Sequence, residues 1–144
     1  MSIFAFKYLF KKPFAIEKTK YLHFSYSDGY AAYSNVYYYL DYNDGEYVIT
    51  YKPLDVPEEE ATAKAISAEE VLEIENILIK HEVYKWDGFH KSDKNVLDGD
   101  GFYFTYKRMD GEGISASGYM KYPNNYSSFL SDIASCFNKL LSIN

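Results

Sequence analysis

The sequence predicts an α+β fold, a mainly antiparallel sheet of about five strands with two long helices packed on one face. Three observations lead there. Apolar and polar residues alternate with a period of two from Phe102 to Met109, and again from Ile114 to Met120. The arms Asn35–Tyr42 and Glu46–Lys52 flank Asn43-Asp44-Gly45, residues that tolerate the positive φ of a tight turn. Near the end of the chain, Tyr126, Phe129, Leu130, Ile133, Ala134, Phe137, Leu140 and Leu141 recur at helical spacing.

With 144 residues the chain reads as a single domain, 1–144. Residues 1–20 form an N-terminal segment. Ile3, Phe6 and Phe10 share one face there and Lys7 and Lys11 another, which predicts a short helix ended by Pro13. Two turns bury too little apolar area to anchor a membrane alone. Tyr21 to Ser27 is an aromatic strand, and Asp28-Gly29 a turn. In the next hairpin Tyr37, Tyr39 and Asp41 share one face, and Tyr38, Leu40 and Tyr42 the other. Tyrosine suits both, with an apolar ring and a hydroxyl that reaches water. Residues 53–66, with Pro53, Pro57 and Glu58-Glu59-Glu60, read as an acidic, solvated connector. Ser67 and Glu70 have capping-box spacing, and Val71, Ile74, Ile77 and Leu78 supply the stripe of the first long helix. A loop follows from Trp86. Asp110-Gly111-Glu112-Gly113 joins the second pair of strands, and Asn124 or Asn125 caps the last helix.

The net charge of −6 weighs against nucleic acid, because phosphate binding needs clustered Lys and Arg. Five lysines in residues 1–20 read as a solvated basic terminus. No secretory signal stands out, and no run reaches the ~18 apolar residues that a membrane span needs. The expectation is a cytoplasmic protein with no membrane partner. The single cysteine, Cys136, cannot form an intramolecular disulfide. It falls on the apolar stripe of the last helix, as an inert, buried thiol would.

Asp precedes Gly at 28, 44, 87, 98, 100 and 110, which invites a calcium reading. Counted from Asp93, however, the sixth position is Asp98, where a calcium loop needs glycine. Turn chemistry explains these pairs without a metal. The three histidines, His23, His81 and His90, lack ligand spacing. Neither a nucleophile elbow, a phosphate loop nor a dinucleotide fingerprint is present. Asp87, Asp98 and Asp100 share one loop, and a hydrolase would need such carboxylates at a set separation. No catalytic residue, metal or cofactor is assigned. Trp86 and Phe89 flank a turn, as a plug seating the loop or as a stacking surface. Tyr119, Tyr122 and Tyr126 crowd the exit of the second hairpin beside Asn124, an aromatic patch suited to a sugar or a protein.

Three runs carry a resemblance: Trp86-Asp87-Gly88-Phe89, Asn95-Val96-Leu97-Asp98-Gly99, and Gly118-Tyr119-Met120-Lys121-Tyr122-Pro123-Asn124-Asn125-Tyr126. Together they resemble a group of small uncharacterised proteins from gut-associated Gram-positive bacteria, over residues 67–141. The resemblance implies no activity, catalytic residue or cofactor.

The functional expectation is a non-enzymatic binding or protein-interaction module, with tyrosines supplying contact area at low entropic cost. The alternative is a small-ligand site, for a glycan or nucleotide, near Trp86. Its binding candidates are Trp86, Asp87, Phe89, Asp98, Tyr119, Tyr122 and Asn124. A carboxylate-dependent hydrolase ranks third. The tyrosine-rich hairpin is also a candidate edge for pairing two copies into a homodimer.

Overall fold

The earliest strand in the sequence lies at the middle of the sheet. A computed structural model describes residues 13–29, 33–97 and 99–142. In chain order the elements are β1 (Thr19–Ser27), β2 (Asn35–Asn43), β3 (Glu46–Lys52), β4 (Thr62–Ile66), α1 (Ala68–Lys80), β5 (His90–Ser92), β6 (Gly101–Arg108), β7 (Gly113–Tyr119) and α2 (Tyr126–Leu140). The strands form one seven-stranded sheet in the order β4-β3-β2-β1-β6-β7-β5. Neighbours are antiparallel except β5 and β7, which run parallel, so the sheet is mixed.

The expectation of about five antiparallel strands is therefore corrected. The alternating stretches are β1, β2, β3, β6 and β7, and two edge strands add to them. β4 lies within 53–66, read as a solvated connector, and its first four residues are exposed. β5 has three residues, all exposed, within the stretch read as a loop. Neither buries an alternating apolar set, so neither leaves a period-two signal. The helix expected over 3–12 lies outside the described residues.

Alternation sends one set of side chains inward. Leu22, Phe24, Val36, Tyr38, Leu40, Ile49, Phe102, Phe104, Tyr106, Ile114 and Ala116 are all buried. The register agrees across strands: Leu22 lies opposite Leu40 and Tyr106, and Phe24 opposite Tyr38 and Phe104. A slip of one residue would turn these rings to solvent, so burial fixes the register. The hairpin turn has the left-handed backbone its residues favour, with φ of 52° at Asp44 and 81° at Gly45.

The two helices cover this inner face. Phe129 of α2 meets Phe24 and Phe104 at ring distances of 5.1 and 5.8 Å, and Phe137 meets Tyr38 at 5.3 Å. The helix α1 buries Val71, Ile74 and Leu78, and also Glu75. The Thr19 hydroxyl donates to Glu75 Oε2 at 2.5 Å and lies 2.9 Å from the Tyr106 hydroxyl. These partners offset the cost of burying a carboxylate. The predicted capping box is formed: Glu70 N donates to Ser67 Oγ at 3.2 Å, and Ser67 N to Glu70 Oε1 at 3.0 Å.

The other face of the sheet carries an aromatic ladder. Tyr21, His23, Tyr39 and Tyr37 follow one another at ring distances of 4.6, 4.5 and 5.1 Å. His23 Nε2 lies 2.7 Å from Asp41 Oδ1. At the ladder's end Lys52 Nζ sits 5.7 Å from the Tyr37 ring centre and donates to the carbonyls of Asn35 and Pro53. These tyrosines are not at an edge: β2 lies between β1 and β3, and β3 between β2 and β4. Among the described residues no helix is long and apolar enough to cross a membrane.

Candidate functional site

Pairing of β1 with β6 sets Ser27 opposite Gly101. That register brings the Asp28-Gly29 turn beside Asp100, and Gly29 N donates to Asp100 Oδ1 at 3.4 Å. The chain leaves β7 by folding back sharply. Met120 takes a φ of 57°, and its N–H donates to the Asp100 carbonyl at 2.8 Å. A side chain at Gly118 would collide with the Lys121 carbonyl and the Phe102 ring, so the reversal needs glycine. It lays Tyr122 on Phe102, with ring centres 5.8 Å apart and planes 24° apart, and 4.7 Å from Tyr126.

A cleft of about 530 Å³ opens between this strand end and the first turn of α2. Tyr26, Tyr122 and Tyr126 supply its aromatic wall, and among the described residues its charged lining is Asp28 and Asp100. Tyr126 is 9% exposed and Tyr122 40%, so the wall grades from core to solvent. Burial raises the pKa of the Tyr26, Tyr122 and Tyr126 phenols, and the acids add to it: Asp28 acts on Tyr26, Asp100 on the other two. The three hydroxyls stay protonated at neutral pH. They serve as hydrogen-bond groups rather than as bases.

The start of α2 is held unusually. Asn125 occupies the N-cap position with a left-handed φ of 70°, and its side chain makes no cap. Its Nδ2 instead donates to the His81 carbonyl at 3.2 Å, tying α2 to the end of α1. His81 Nε2 lies 2.7 Å from Asp132 Oδ2 of α2, which strengthens the same junction.

Of the seven residues singled out in the sequence, Tyr122 lines the cleft. Trp86 is 2% exposed and packs on Phe104 and Phe129, each 5.1 Å away; its Nε1 donates to the Asn124 carbonyl at 2.9 Å. It is the plug beneath the site, not a stacking surface, and lies 6.2 Å from the Tyr126 ring. Phe89 packs on Phe102 at 6.3 Å. Asp87 Oδ1 accepts from Ser115 N at 3.0 Å, beside β7 and outside the cleft wall. Tyr119 clamps the loop: its hydroxyl accepts from Gly99 N at 2.7 Å and donates to the Val96 carbonyl at 3.0 Å. Asn124 is exposed outside the wall, and its neighbour Asn125 lines it instead. Asp98 lies outside the described residues.

The cleft is thus lined by Tyr122 and Tyr126, while Trp86 is buried. Of the described loop acids, Asp87 holds Ser115 N beside β7, whereas Asp100 lines the cleft. Sequence reasoning missed Tyr26 and Asp28, whose place depends on the β1–β6 register. The Asp-Gly turn chemistry is as expected at Asp110, whose Oδ1 accepts from Glu112 N at 3.0 Å; Asp93, with no glycine after it, accepts in the same way from Asn95 N at 3.0 Å. Burial pushes the Cys136 thiol up to about 11. No protein-family model matches the chain, and no curated protein matches it. Fold and site together define an α+β protein with a helix-covered sheet and an aromatic, acidic cleft at one sheet end.

Proposed function

We propose that this protein is a non-enzymatic binding module whose cleft takes a small ligand. One observation carries the reading: three tyrosines and two carboxylates, drawn from β1, its turn, the β6 entry, the β7–α2 connection and the start of α2, line one cleft of about 530 Å³. Concave sites with aromatic walls and a few polar groups are the usual form of small-molecule sites. Of the two ligand classes expected from the sequence, a nucleotide fits poorly, because its phosphates would face Asp28 and Asp100. A neutral or cationic ligand, a glycan among them, fits better. The test is a thermal-shift screen against a metabolite library, since a bound ligand raises the unfolding temperature. Hits that vanish in Tyr122→Ala support the reading. Hits that survive that substitution unchanged, or none at all, count against it.

A second reading, contact with a protein partner, draws on the opposite face. The ladder of Tyr21, His23, Tyr39 and Tyr37 runs there, and Tyr103 on β6 is 71% exposed. Pull-down from host lysate with Tyr37→Ala and Tyr39→Ala variants tests that surface. Unchanged partner recovery would remove it.

A further inference from the structure

We propose that Met120 is an oxidation site for hydroperoxides, and that its sulfoxide displaces one wall of the cleft. Met120 and Asp100 hold each other from both sides. Met120 N donates to the Asp100 carbonyl at 2.8 Å, and Asp100 N donates to Met120 Sδ at 3.1 Å. The side chain lies tight against the loop before β6: a Cβ at Gly99 would sit 2.6 Å from Met120 Cγ and 2.9 Å from Sδ. What this latch holds belongs to the cleft. Asp100 and Gly101 line it, and so does Tyr122, two residues past Met120.

Met120 is 37% exposed, so an oxidant reaches it in the folded protein. In the reaction a sulfur lone pair attacks the terminal peroxide oxygen; an S–O bond forms and the O–O bond breaks. The proton on the transferred oxygen passes to the leaving one, which departs as water or an alcohol. Sulfur is oxidised by two electrons and the peroxide reduced by two. A thioether has two lone pairs, and one of them accepts the Asp100 N–H. Oxygen added there would fall between two atoms only 3.1 Å apart. Oxygen added to the other leaves the bonded lone pair on an electron-poor sulfur, a weaker acceptor. Both products break the contact between Asp100 and sulfur, and both set a polar group beside Gly99 in place of an apolar one. Two other sulfurs serve as comparisons. Burial pushes the Cys136 thiol up to about 11, so it offers peroxide little of the thiolate that reacts. Met109, 43% exposed, lies just past the far end of β6, away from the cleft wall.

Amide NMR spectra of the full chain before and after hydrogen peroxide, with peptide mass mapping, test this. In Met109→Leu, Met120 gains one oxygen under native conditions. The Gly99, Asp100, Gly101 and Tyr122 resonances then move, while those of Phe24 and Phe104 stay and verify the fold. Methionine sulfoxide reductases A and B, one for each epimer, return them. In Met120→Leu the same treatment oxidises Met109 and leaves the cleft resonances in place. A Met120 sulfoxide that moves none of them overturns the inference. So does oxidation of Met120 only in denaturant, or the same movement in oxidised Met120→Leu. The readout uses no ligand, so its failure is distinct from failure of the binding-site reading above.

Discussion

Gly118 sits where two stretches of backbone nearly touch. A Cβ there meets the Lys121 carbonyl and the Phe102 ring, whereas one at Gly111 meets nothing, though φ is 90°. Gly118→Ala is expected to cost about 1–3 kcal/mol through overpacking. Gly111→Ala costs roughly 1–2 kcal/mol from backbone strain alone. Urea midpoints compare them, and only the first variant should also disturb the Tyr122 and Tyr126 resonances. Cys136 makes a second residue-scale test. With its thiol pushed up to about 11 by burial, little thiolate exists at pH 8. Alkylation should be slow in the folded protein and accelerate sharply in denaturant. Single residues were legible in the sequence where their chemistry is local. Asp110 binds backbone two residues on, so the Asp-Gly pattern suffices. Tyr26 and Asp28 were not, because a partner strand far along the chain decides what they face.

Among elements, α1 shows how local signals hold. Ser67→Ala should destabilise the protein by about 1 kcal/mol, because it removes one half of the reciprocal cap. Equilibrium denaturation measures it, and no change would mean that the helix start is held by packing. The junction between α1 and α2 is electrostatic. The Lys80 ammonium, then the His81 ring, hold the Asp132 carboxyl below the usual carboxylate range. A carboxyl depressed in the folded state stabilises above its unfolded pKa, near 4, and loses that contribution as pH falls through the lower, folded value. Stability of Asp132→Asn should therefore trail the parent at pH 7 and converge with it in acid. Urea titrations at several pH values follow the gap. The edge strands β4 and β5 escaped sequence reading for a physical reason. An edge strand with exposed side chains is defined by its backbone partners, and composition carries no record of those.

For the molecule as a whole, strand order sets the stability map. β2, β1 and β6 lie at the centre, each with a bonded neighbour on both sides. Their amides should exchange slowest with deuterium, and those of β4 and β5 fastest. Uniform exchange across the sheet would contradict that order. The five alternating strands and two helices were readable because one face of each is buried, and burial writes a period into the chain. The order of the strands was not readable, since nothing near β1 marks β6 as its neighbour. The cleft depends on that pairing and was hidden for the same reason. Gly101, the partner of Ser27, follows it by 74 residues (101 − 27). At ~5–20 residues per second, translation leaves β1 without that partner for roughly 4–15 s. During that interval the nascent chain offers a bare, ring-studded strand to whatever waits at the ribosome exit, and safe passage depends on holding that flank apart from its copies on neighbouring ribosomes.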